Sequence, residues 1–133
     1  MSVQEIPRAQ WKKFCDDLTY SHRGWRGNID LVREDGDPRT IFRNTIFMGI
    51  TADLDRKEED AILVTTGERS QEILTHIVRR PFRMQAQFAD TGVPELIRLD
   101  AASGTTILQF PAVPSPETAT GDIWKGSLLS GRR

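Results

Sequence analysis

The sequence predicts an α+β fold: one N-terminal amphipathic helix packed on a mostly antiparallel sheet of about six or seven strands, strongly curved or partly closed to limit its edges. Three observations predict it. One apolar stripe with helical spacing sits near the start of the chain. From Gly24 onward the apolar period shortens to that of strands, and clusters of turn-forming residues separate the strand-like runs.

The helix comes first. Trp11, Phe14, Cys15 and Leu18 fall at i, i+3, i+4 and i+7, while Lys12, Lys13, Asp16 and Asp17 take the opposite face. Pro7 suits the first helical position, where a missing N–H costs nothing, and Gly24 supplies a stop. His22 and Arg23 before that stop are cations suited to the negative end of the helix dipole. A helix this short is marginal alone and needs a surface to cover.

The strands supply that surface. Trp25, Gly27, Ile29 and Leu31 alternate with Arg26, Asn28 and Asp30, and the turn formers from Glu34 to Pro38 then reverse the chain. A second strand runs roughly from Ile41 to Ala52, with Ile46, Met48 and Ile50 on one face. Gly49 marks a bulge or a close backbone approach there. The charged run Asp53 to Asp60 reads as a solvated loop. Ala61 to Thr66, closed by Gly67, is a continuous apolar run suited to a central strand, and Ile73 to Arg79 is a further β-branched run ended by Pro81.

The clearest alternation follows, with Phe82, Met84, Ala86 and Phe88 on a core face and Arg83, Gln85 and Gln87 on a wet one. After the turn at Asp90-Thr91-Gly92, Glu95 to Ala101 and Thr105 to Phe110 flank Ala102-Ser103-Gly104 as a hairpin. A short helix from Pro94 is the rival reading of its first arm. The domain proper is thus residues 1–110. Pro111, Pro114 and Pro116 open a Pro-rich linker and a mobile tail over 111–133, in which Trp124 is the one candidate anchor for docking.

The chain has 133 residues, enough for one domain that buries roughly two thirds of its unfolded surface. A net charge of −1 and a pI near 6.1 leave no electrostatic footprint for nucleic acid or an anionic membrane. The longest apolar runs are too short to span a bilayer, and residues 1–5 lack the layout of a signal peptide. One cysteine cannot make an internal disulfide, so a cytoplasmic protein is expected.

Ile6-Pro7-Arg8 followed by Trp11 and Phe14, then His22-Arg23-Gly24-Trp25, Ile50-Thr51-Ala52-Asp53-Leu54, Thr75-His76-Ile77 with Pro81, and Ser103-Gly104-Thr105-Thr106 form an ordered series. It resembles the pattern of an uncharacterised bacterial family, a domain of unknown function, from about Ile6 to Phe110. The resemblance implies a bacterial source and carries over no catalytic residue. The Trp-containing tail departs from the pattern.

Candidate chemistry is sparse. His22, His76 and Cys15 show no metal-ligand spacing, and Cys15 on the apolar stripe reads as a small buried hydrophobe. Neither a metal nor a cofactor is expected. No phosphate-binding glycine loop, dinucleotide fingerprint or nucleophile elbow occurs. Ligand-binding candidates are His22 with Trp25 at the helix-to-strand junction, His76 on its strand, and Arg79 with Arg80, whose guanidiniums suit a carboxylate or phosphate. Edge-strand charge and neutralisation by Glu58, Glu59 and Asp60 explain the arginines equally well. The sequence therefore favours a non-catalytic module that binds a partner protein or small ligand, with a homodimer through sheet edges as one form. The alternative is a small enzyme with His76 as acid/base and Arg79 or Arg80 orienting an anionic substrate. Nucleic-acid binding through Arg79, Arg80 and Arg83 is the weakest reading.

Overall fold

A computed structural model describes residues 2–33, 36, 38–54, 59–67 and 73–111. The expected linker and tail from 112, with Trp124, and Glu58 of the charged run lie outside the described residues. Strand β1 (Ser2–Ile6) leads through a 3-10 turn (Arg8–Gln10) into helix α1 (Trp11–His22). Then follow β2 (Arg26–Arg33), β3 (Pro38–Asp53), β4 (Ala61–Gly67), β5 (Ile73–Arg79), β6 (Pro81–Phe88), β7 (Pro94–Ala101) and β8 (Gly104–Gln109). All pair antiparallel in one open sheet of order β1-β6-β7-β8-β2-β3-β4-β5. This is the predicted class, with one α-helix and eight strands among the described residues, and the first arm of the last hairpin is a strand, not a helix.

The added strand is β1. Its residues Ser2, Val3, Gln4 and Glu5 are all exposed, so no alternating pattern announced it. Pro7 lies in extended conformation ahead of the 3-10 turn rather than opening α1. The helix itself buries Trp11, Cys15, Leu18 and His22, and the Trp11 indole N–H donates to the Ile6 carbonyl at 2.8 Å, fixing β1 to the helix.

β3 is long because it changes partners. Its first part pairs with β2 up to Ile46, and from Ile46 to Asp53 it pairs with β4. Where β2 stops, α1 takes over the flank of β3. The Thr19 hydroxyl bonds both the N–H and the carbonyl of Ile50 at 2.9 Å, and Gly24 N–H donates to the Phe47 carbonyl at 2.8 Å. The register slips between Phe47 and Gly49, the bulge expected there. A Cβ on Gly49 would lie 3.3 Å from the Thr19 methyl, so glycine lets the helix come close. The slip also resets the faces: Phe47 and Ile50 are buried, whereas Ile46 and Met48 are half-buried.

β5 then crosses over the other strands. The His76 ring reaches Thr106 on β8, and a single residue, Arg80, turns the chain from β5 into β6. β5 and β6 lie near opposite ends of the sheet order, so this connection is met only by strong curvature. The curled inner face and α1 enclose one core, in which Phe47 stacks edge-on against Phe110 at 5.0 Å.

Two expectations need correction. Phe82 is not a core residue. Pro81 pairs with Ala101 and Arg83 with Asp100, which leaves Phe82 as the extra residue of a bulge with 66% of its surface exposed. Asp60 is not solvated either: it is buried, with its carboxylate paired to Arg8.

A close backbone approach at Gly27 generates a prediction. A Cβ on Gly27 would stand 2.8 Å from the Gln109 carbonyl and 3.2 Å from the Phe110 ring. Gly27→Ala should therefore destabilise by about 1–3 kcal/mol, read as a fall of several degrees in Tm. Gly49→Ala, opposed by a side-chain methyl, should cost less. Calorimetry of the two variants checks the order, and an unchanged Tm for Gly27→Ala would contradict the packing described.

Candidate functional site

The helix-to-strand junction is a packed corner. His22 is 1% exposed, and its Nε2–H donates to the Pro94 carbonyl at 2.9 Å while Nδ1 accepts from the Ser21 hydroxyl at 2.6 Å. Its ring lies 4.1 Å from that of Trp25 and 4.7 Å from that of Phe110. Burial lowers its pKa, with the Pro94 bond opposing, so His22 is a neutral pin between α1 and β7 rather than a helix-end cation. Trp25 keeps 39% of its surface exposed and forms the outer wall of this corner.

His76 belongs to the inner face. Its Nε2 lies 3.1 Å from the Thr106 hydroxyl, and burial lowers its pKa. Thr106 and Phe110, against which the two histidines sit, are four residues apart along the chain, so His22 and His76 are separated by roughly 13 Å of β8. They do not form one site.

Arg79 and Arg80 do share a site. Strand register sets Asp53, Ala61 and Arg79 in one row across β3, β4 and β5, and Thr51, Leu63 and Ile77 in the next row on the same face. Alternation turns these side chains to the outer face, away from His76. Small Ala61 in the middle of its row leaves a cleft of about 260 Å³, lined by Asp53, Glu59, Asp60, Ala61, Leu63, Ile77, Arg79 and Arg80. Leu63 and Ile77 give it an apolar lining, and Arg79, Arg80 and the three carboxylates a charged one.

Local folding explains the arrangement. Arg80 has φ of 49°, a left-handed conformation that costs a non-glycine residue about 1 kcal/mol or more, and its N–H donates to the Asp60 carbonyl at 2.7 Å. Neither the Arg79 nor the Arg80 guanidinium, nor the Asp53 carboxylate, makes an ion pair or side-chain hydrogen bond among the described residues. Arg8 already holds one oxygen of Asp60. Arg83, by contrast, is committed: its Nε donates to Asp100 at 2.8 Å. Burial raises the Asp100 carboxyl, but hydrogen bonds from Thr105, Arg83 and Arg98 outweigh that and hold it low.

The remaining thiol is inert. Cys15 is fully buried, and desolvation, aided by Asp16, pushes it up to about 12. Among the described residues no group of three or more His, Cys, Asp or Glu side chains could hold a metal ion. Sequence reasoning named Arg79 and Arg80 but missed Asp53, Ala61, Leu63 and Ile77 as their companions. The signal was the pairing of consecutive strands, which sets these residues side by side once the hairpin registers are known.

The chain belongs to a family of unknown function, DUF5335, whose model matches residues 2–117. No curated protein and no solved structure matches it.

The two buried histidines set a pH dependence. Both have folded pKa values below the usual 6.5. The unfolded chain therefore binds more protons as pH falls through that value, and stability, complete above it, is lost progressively below it. Urea unfolding at about pH 7.5 and about pH 5.5 should show the lower midpoint at acid pH, with a smaller difference in His22→Gln. Equal midpoints in the parent protein would contradict the burial of both rings.

Proposed function

We propose that this protein is a non-catalytic binding module whose ligand site is the cleft between β3, β4 and β5, taking a small organic anion or an acidic side chain. The carrying observation is that Arg79 and Arg80 line that cleft and make no ion pair among the described residues. Two guanidiniums held together present more donors than one anion needs, in the planar geometry that suits a carboxylate or phosphate. Leu63 and Ile77 would cover the apolar body of the ligand, while Asp53 would accept from its donors. The backbone strain at Arg80 fits a residue kept for its side chain.

Binding is favoured over turnover because the cleft lining, among the described residues, holds no histidine, serine, threonine or cysteine. The enzymatic alternative requires His76 beside Arg79 or Arg80, and strand alternation turns His76 to the opposite face. The near-neutral charge and the single thiol support a cytoplasmic setting, and the resemblance noted from the sequence supports a bacterial one. No helix among the described residues is long and apolar enough to cross a membrane.

Calorimetric titration with citrate, against sodium chloride at equal ionic strength, tests the reading. Citrate should bind, and Arg79→Gln with Arg80→Gln should weaken it about tenfold or more, whereas His76→Gln should leave it unchanged. Equal binding by the doubly substituted protein would reject the site. Arg80→Gly separates the roles of backbone and side chain: it should bind weakly yet unfold at the same or a higher temperature, because glycine accepts the left-handed conformation.

A further inference from the structure

We infer that β5 is the strand through which two copies of this chain pair, antiparallel and related by a two-fold axis at His76. β5 ends the sheet order, so one side of it has no strand neighbour among the described residues. Which backbone groups face that side follows from two hydrogen bonds. Arg80 N–H donates to the Asp60 carbonyl, and Thr19 occupies the N–H and carbonyl of Ile50 on the flank of β3 away from β4. Antiparallel ladders alternate, so Leu74, His76 and Val78 direct their backbone groups to β4. Ile73, Thr75, Ile77 and Arg79 direct theirs to the open edge.

Among the described residues that edge carries little of the usual protection, its one formal charge being Arg79 at one end. The segment Ile73–Arg79 contains no proline, lysine or carboxylate, and its pairing with β4 shows no bulge. Three large apolar residues stand exposed along it: Ile73 at 54%, Leu74 at 51% and Ile77 at 41%. β1, the other end of the sheet, exposes only Val3 among its large apolar side chains.

A second β5 fits this edge. With His76 opposite itself, Ile73 faces the partner's Arg79 and Thr75 faces the partner's Ile77, so every outward-directed residue exchanges backbone hydrogen bonds. Leu74 meets the partner's Val78 on the inner face, and Ile77 lies diagonal to the partner's Ile73 and the partner's Ile77 on the outer one. The charges also agree. The two Arg79 side chains fall at opposite ends of the pair, roughly 20 Å apart. Ile77 and Arg79 serve both this seam and the cleft, but the readouts differ: sedimentation reports pairing and titration reports anion binding.

Sedimentation velocity of the full chain over a concentration series is the test. The parent protein should sediment as a dimer. Thr75→Pro removes an outward-directed N–H and leaves the β4 ladder intact, so it should weaken dimerisation about tenfold or more with unchanged far-UV circular dichroism. Ile77→Lys, which needs no backbone adjustment, should do the same and decides the matter should Thr75→Pro fail to fold. A parent protein that stays monomeric up to ~100 μM would overturn the inference. So would a dimer indifferent to both substitutions. A monomer whose Ile73, Thr75 and Ile77 amides resist hydrogen exchange would assign the edge to the chain's own residues 112–133 and overturn it equally.

Discussion

A single residue joins β5 to β6, and most of the architecture depends on that short connection. β5 is the last strand in the sheet order and β6 the second, yet only Arg80 separates them in sequence. A flat sheet would hold the two strands several inter-strand spacings of about 4.8 Å apart, beyond the reach of one residue. The sheet must therefore curl until β5 passes over β8 and β7, and the left-handed conformation of Arg80 makes the corner. Curling of this kind creates an inside. It also needs something to fill the gap left where β2 ends, and α1 does so along the flank of β3.

The same corner shapes the candidate site. Asp60 approaches Arg80 because the β4–β5 pairing continues for one residue past the strands. The outward row of Asp53, Ala61 and Arg79 then ends in a concavity, because Ala61 has almost no side chain to fill it. Two unlike solutions to the charge problem stand close together in this region. Asp100 gathers Arg83, Arg98 and Thr105 into a closed network at the start of β6, whereas Arg79 and Arg80 have no such partner among the described residues. Networks of the first kind hold a structure together. Unpaired guanidiniums beside an apolar wall are what recognition of an anion requires.

Much of the fold was legible because its signals are local. The helical stripe from Trp11 to Leu18, the turns at Asp90-Thr91-Gly92 and Ala102-Ser103-Gly104, and the bulge at Gly49 each follow from residues a few positions apart. What stayed hidden depends on contacts distant in sequence. β1 has no alternation to read, since only Ile6 of its residues is buried. Phe82 kept perfect alternation with Met84 and Ala86, but a register slip against β7 expelled it, and nothing in its own strand records that slip. Asp60 looked like part of a solvated acidic run until Arg8, fifty-two residues away, supplied its counter-ion. Arg79 and Arg80 were visible as a basic pair, whereas the surface around them appears only when three strands are aligned.

β1 closes the largest circuit in the molecule. Ser2 pairs with Phe88 and Ile6 with Met84, so the strand cannot dock until most of the domain has been assembled. The entropy of closing so long a loop grows only with the logarithm of its length, which makes the closure tolerable at equilibrium. Its kinetic consequence is larger, because contacts between residues far apart in sequence slow the search for the native state. Ser2 to Glu5, held to the sheet by β6 alone with their side chains in water, have the features of a segment that frays while Ile6 stays in the core with its carbonyl bonded to Trp11. The start of the chain is thus a late and loosely fastened latch on a domain whose helix and remaining strands already share one core.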